Sequence, residues 1–194
     1  MLTRSLFDRL LFGLSVLTVL AAVPAQPQTP PDITGSWRIN EALSDNTDKQ
    51  VERALRAAGE KVSSSWFDRR KDKYRGGPAE QELYDRFSYD PVLTITTTDG
   101  GYVFEYADGF KRNVFTDNRS RAISLTALDT VEDFSMGHWE SERFLVEAHP
   151  RDGGFASEVY QLQNGGTQLQ VEFSIRPASF REDIELKRVY DRVP

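Results

Sequence analysis

From Asp32 to Asn40 apolar and polar positions alternate, so that Ile33, Gly35, Trp37 and Ile39 fall on one side of an extended chain and Thr34, Ser36, Arg38 and Asn40 on the other. The spacing predicts an opening strand. Gly35 would let a neighbouring backbone or ring approach Trp37, whose indole then plugs one end of a barrel. Beyond it, Ser44, Asp45 and Asn46 offer capping oxygens, and from Thr47 the apolar residues Val51, Ala54, Leu55 and Ala58 recur at helical spacing. Gly59 stands where a helix C-terminal glycine belongs, so one short amphipathic helix is expected. Residues 60–90 break the pattern with Ser63-Ser64-Ser65, a charge run from Asp68 to Arg75 and Gly76-Gly77-Pro78. They read as an inserted excursion, in which Pro78 to Phe87 could add a second helix with Leu83 and Phe87 on one face.

From Pro91 onward turn signals become regular, at Asp99-Gly100-Gly101, Asp108-Gly109, Asp117-Asn118, Met136-Gly137, Asp152-Gly153-Gly154 and Asn164-Gly165-Gly166. They divide the chain into strands expected near 92–98, 101–107, 110–116, 121–128, 132–139, 142–149, 155–163, 167–175 and 182–191. Leu169, Val171, Phe173 and Ile175 share a side in one of these, and Tyr102, Phe104 and Tyr106 in another. In the last, Ile184, Leu186, Arg188 and Tyr190 alternate, which puts a cation on an otherwise apolar face. Short strands joined by tight turns make an antiparallel meander, and closing ten of them into a barrel removes the exposed edges. The expected fold is all-β: an up-and-down barrel of about ten strands, with one or two short helices between the first and second. Its inside should hold Trp37, Ile39, Leu93, Ile95, Phe104, Tyr106, Leu125, Val171, Phe173, Ile184 and Leu186.

The N-terminus adds a compartment. Arg4 and Arg9 precede an apolar run of 14 residues, Leu10 to Val23, followed by Val23-Pro24-Ala25. That run is shorter than the roughly 20 residues a membrane-spanning helix needs, and its end suits a signal peptidase. A signal peptide over 1–25 is therefore expected, then a mobile leader over 26–31 and one barrel domain over 32–194 with its excursion at about 45–90. Removing 1–25 leaves 22 basic against 29 acidic residues, which argues against nucleic acid as a partner. The chain has no cysteine, so neither a disulfide nor a lipid-modified N-terminal Cys can form.

The order of a Gly-x-Trp strand, a helical insertion, a run of hairpins and a terminal Lys187-Arg188-Val189-Tyr190-Asp191-Arg192 resembles the calycin superfamily. Within it, the early helix, the ten strands and the Arg-x-Tyr resemble the intracellular fatty-acid-binding proteins more than the lipocalins. The signal and the charged excursion depart from that branch. The chain is also similar to a group of exported bacterial proteins sharing its Gly-x-Trp start and Val-Tyr-Asp-Arg end, to which the resemblance attaches no activity. It implies that Arg188 and Tyr190 bind a ligand carboxylate inside the barrel. It equally implies, from the lipocalin side, that Arg188 lies over Trp37 and closes the barrel beside Gly35. The two roles are compatible.

Two function classes follow. One is an exported, periplasmic or secreted carrier for a small amphipathic, fatty-acid-like ligand, held by Arg188 and Tyr190 and walled by Tyr102, Phe104, Tyr106 and Phe173. The other is an envelope interaction domain whose barrel is filled by the same side chains. An enzyme is not expected, because the two histidines, His138 and His149, lack zinc-site spacing and no Gly-x-Ser-x-Gly elbow is present. No cofactor or metal is expected. The five bases between Arg69 and Arg75, near Trp66 and Phe67, read either as a solvated loop or as a contact for an anionic membrane surface. Oligomeric state is left open.

Overall fold

The computed structural model describes residues 29–59, 91–107, 109–117, 119, 121–123, 133–150, 154–177 and 183–194. Among these residues ten strands form one antiparallel sheet: β1 Gly35–Ile39, β2 Val92–Thr98, β3 Gly101–Tyr106, β4 Lys111–Phe115, β5 Arg121–Ile123, β6 Asp133–Glu140, β7 Arg143–Pro150, β8 Gly154–Gln163, β9 Gln168–Pro177 and β10 Ile184–Arg192. Their order in space, β4-β3-β2-β1-β10-β9-β8-β7-β6-β5, is a meander whose first strand pairs with its last. The expected barrel is therefore present and nearly closed. The expected signal peptide, the first half of the leader, residues 60–90 of the excursion with the second helix and basic run, and Leu125 lie outside the described residues.

Strand β1 starts later than the alternation suggested because Asp32 turns the chain first. Its Oδ1 accepts from Thr34 N at 2.9 Å and Thr34 Oγ1 at 2.7 Å. Those bonds hold the Asp32 carboxyl below the usual carboxylate range. Ile33 nevertheless remains buried, and its carbonyl accepts the Trp37 indole N–H at 3.1 Å.

The helix α1, Thr47–Ala57, is capped by Asn46, whose side chain accepts from Lys49 N at 3.0 Å. Its apolar stripe buries Val51 and Leu55 against Ala148, Ala156, Ile175, Ile184 and Leu186. Register explains this contact. Ala148 faces Ala156, Ala156 faces Ile175, and Ile175 faces Ile184, so these four form one row of inward side chains across β7, β8, β9 and β10. The two alanines leave room for a helix to sit on that row and cap one end of the barrel.

Among the described residues no ladder joins β4 to β5, so the last joint of the ring is made by side chains. Gly137 on β6 is the enabling residue: a Cβ there would lie 2.6 Å from Val114 Cγ1 on β4 and 2.7 Å from Phe144 Cζ. Tyr102 continues the joint, with its ring 5.0 Å from Phe144 and 6.4 Å from Trp139. Of the residues expected inside, Trp37, Leu93, Ile95, Phe104, Val171, Ile184 and Leu186 are buried and Ile39, Tyr106 and Phe173 are partly buried against them.

Candidate functional site

Strand β10 alternates because a strand with one face on the core must, and its inward positions are Ile184, Leu186, Arg188 and Tyr190. Arg188 and Tyr190 are both buried. Arg188 stands opposite Val171, which stands opposite Tyr160; one row nearer the helix, Leu186 stands opposite Phe173, which stands opposite Glu158. Two adjacent rows of the inner wall thus bring Arg188, Tyr160 and Glu158 together.

A fourth polar side chain arrives from the other end of the sheet. Arg112 on β4 is separated from β8 by β3, β2, β1, β10 and β9, yet its guanidinium reaches Glu158 across the barrel. Nη1 donates to Oε1 and Nη2 to Oε2, each at 2.6 Å, in the bidentate geometry that suits guanidinium to carboxylate. Nη2 also donates to the Tyr160 hydroxyl at 3.1 Å, and that hydroxyl donates to Glu158 Oε2. The guanidinium carbon lies 5.5 Å from the Phe104 ring centre and 6.0 Å from that of Tyr106. Arg112 Nε is buried with no acceptor among the described residues.

Burial alone would discharge these groups, but the pair outweighs it. Desolvation works against the Arg112 cation, while the adjacent Glu158 carboxylate raises its pKa well above the ordinary value. Desolvation likewise raises Glu158, and the Arg112 charge with the bonds from Arg112 and Tyr160 brings it below the ordinary value. Both stay ionised at neutral pH. The Tyr160 and Tyr106 phenols are pushed up by burial, with the Glu158 charge acting in the same direction, so both stay neutral. Arg188 acts on Glu158 and Tyr106 as well, so the two arginines share one electrostatic environment.

The structure gathers the residues singled out from sequence but redistributes one role. Phe104 packs against Tyr160 at 5.0 Å and Phe144 at 6.4 Å, and Tyr106 stacks on Phe110 at 5.7 Å. Tyr102 lies on the joint already described, and Phe173 lies under the Arg188 guanidinium at 5.0 Å. Arg188, however, was expected to close the barrel over Trp37, and the cation at that position is Arg192, 4.1 Å from the indole. Register is the reason: Trp37 pairs with Arg192, which leaves Arg188 four residues earlier on β10. Arg192 also donates to Gly166 O and Thr34 O, each at 2.8 Å. A Cβ at Gly35 would lie 2.8 Å from Arg192 Nη1, so the close approach expected at this glycine is made by that side chain.

Arg112, Glu158 and Tyr160 were missed. The usable signal was phase: Arg112 shares a face with Val114, and Glu158 shares one with Ala156 and Tyr160. Among the described residues no three His, Asp or Glu side chains are grouped as metal ligands.

No family model and no curated protein matches this chain. Solved structures do. Secretory abundant heat soluble protein 4 from Ramazzottius varieornatus is 13% identical with a TM-score of 0.53, covering 86% of this chain and 99% of that one. Lipid binding protein 8 of Caenorhabditis elegans, solved in its apo form, is 12% identical with a TM-score of 0.48, over 82% of this chain and 94% of that one. Fatty-acid-binding protein 1 of Echinococcus granulosus is 14% identical with a TM-score of 0.48, over 83% and 97%. The first of these likenesses shows the fold alone, an antiparallel up-and-down barrel. At these identities the likeness concerns backbone path alone.

Proposed function

We propose that this chain is an exported carrier, periplasmic or secreted, which holds the acidic head of a small amphipathic ligand against Arg188 and Tyr190 inside the barrel. One observation carries the reading: Arg188 is a buried guanidinium on the inner face of β10, with the Phe173 ring 5.0 Å from it and Tyr190 two residues on along the same face. A guanidinium and a phenol on one inner face offer an anionic head a fork of N–H donors and an O–H donor in a low-dielectric surround. Tyr102, Phe104, Tyr106 and Phe173 supply apolar contact for the ligand's tail. Export rests on the N-terminal pattern, and the lipid-related names of two fold neighbours accord with the ligand class without carrying it.

The cluster does not favour catalysis. Both Glu158 oxygens are engaged by Arg112, and Tyr160 adds a further bond, so this carboxylate is held as a counter-ion rather than poised as a base.

A second reading, an interaction domain with a filled barrel, draws on the contact of Phe104 with Phe144 and Tyr160. Native mass spectrometry of the protein purified from its own host, with organic extraction of what co-purifies, decides between them. A bound acid that is lost in Arg188→Leu, with circular dichroism unchanged, supports the carrier. An empty protein whose melting is unmoved by a panel of fatty acids favours the filled barrel.

A further inference from the structure

Asn164-Gly165 is the one Asn-Gly pair in the sequence, and it stands in the exposed turn that joins β8 to β9. Tight turns favour this pair because both residues accept a positive φ, here 50° and 67°. The same pair invites a reaction. Gly165 has no side chain to shield its backbone nitrogen, and nothing lies within 4 Å of where a Cβ would be. When that nitrogen attacks Asn164 Cγ, the N–Cγ bond forms, the Cγ–Nδ2 bond breaks, and ammonia leaves with the Gly165 amide proton. Water then opens the imide ring at either carbonyl, which yields aspartate or isoaspartate.

The side chains around Asn164 give this reaction a consequence. The Asp191 carboxylate on β10 only accepts, and it takes Gln168 Nε2 on Oδ1 at 2.7 Å and Asn40 Nδ2 on Oδ2 at 2.8 Å. Gln168 must therefore turn its Oε1 the other way, toward Asn164, whose Nδ2 donates to it. One carboxylate thus orients three amides, in a chain that runs from the turn to Asn40, directly after β1. An oxygen in place of Asn164 Nδ2 would face Gln168 Oε1 with no proton between them. Gln168 cannot reverse without presenting that oxygen to Asp191. We propose that Asn164 is a deamidation site, held back by its bond to Gln168, and that its conversion breaks the chain of amide bonds leading to the seam of β1 and β10. This goes beyond the carrier reading and stands without it.

The test incubates the full chain at mildly alkaline pH and maps its peptides by mass spectrometry at intervals. The peptide holding Asn164 should gain the amide-to-acid mass shift, as aspartate and isoaspartate, ahead of those holding Asn40, Asn46, Asn113 and Asn118. Gln168→Met releases the amide and should speed conversion about fivefold, the factor that one net hydrogen bond represents. Asn40→Ala, at the far end of the chain, should leave the rate at the parent's value, which separates release of the amide from loosening of the seam. Asn164→Asp should melt below Asn164→Ala, because it adds an opposed oxygen where alanine only removes a donor. The proposal is overturned if Asn164 converts no faster than the other asparagines, or if Gln168→Met leaves its rate unchanged. It is equally overturned if Asn40→Ala raises the rate as much as Gln168→Met does, or if Asn164→Asp melts no lower than Asn164→Ala.

Discussion

Removing Arg112 alone should be far more damaging than removing Arg112 and Glu158 together. The two side chains are 4% and 6% exposed and share two hydrogen bonds of 2.6 Å, so Arg112→Met would leave a buried carboxylate that keeps the Tyr160 hydroxyl and the Arg188 charge but loses its bidentate partner. Breaking a buried pair from one side typically costs about 3–5 kcal/mol, whereas replacing both partners by apolar side chains is often neutral or even stabilising. At about 2–4 °C per kcal/mol for a domain of this size, the single variant should melt roughly 6–20 °C below the parent. Arg112→Met/Glu158→Met should melt near it. Urea unfolding followed by circular dichroism gives the three free energies, and the cycle should show a coupling of at least about 2 kcal/mol. If the single losses simply add, the cluster is solvated and the account of the barrel's interior is wrong.

Three further outcomes follow from the same contacts. Arg192→Leu removes the cation over Trp37 and two backbone bonds, and should lose about 1–3 kcal/mol and shift Trp37 emission, which Arg188→Leu should not reproduce. Gly137→Ala puts a methyl into Val114 and Phe144 at the joint without a ladder, costing about 1–3 kcal/mol in urea unfolding; full stability would mean that β4 and β6 are not in contact. Tyr106 and Tyr160 keep their protons above the ordinary phenol value when folded and lose them there when unfolded. The folded state therefore binds more protons in that range, and stability should fall as pH rises above about 10. Phenolate absorbance should show at least two of the seven tyrosines, Tyr106 and Tyr160, titrating only with unfolding. All seven titrating together in the folded protein would contradict their burial.

The barrel was legible because a strand with one wet and one dry face writes its phase in every second residue. In β9 and β10 the inward residues Leu169, Val171, Phe173 and Leu186, Arg188, Tyr190 could be read directly. Register was not legible. Period two says that Arg188 and Arg192 share a face, but not which stands beside Trp37, since sliding β10 by two or four residues keeps every side chain on its side. The Arg112–Glu158 pair was hidden for a related reason. Lys111-Arg112-Asn113 shows three polar residues in a row, so Val114 alone sets the phase of β4, and pairing across the lumen depends on how the sheet curls rather than on any local spacing. Arg188→Leu therefore tests the proposed head site separately from barrel closure, because closure belongs to Arg192.

The most direct test of the central claim is carbon NMR of a long-chain fatty acid labelled at its carboxyl, bound to the full chain and titrated with acid. Beside Arg188 and Tyr190, the bound carboxyl should give its own resonance, remain ionised to a lower pH than the free acid, and disappear in Arg188→Leu while Arg192→Leu retains it. A carboxyl that titrates like the free acid, or a bound resonance unchanged by Arg188→Leu, would show that this pair does not hold the head of the ligand.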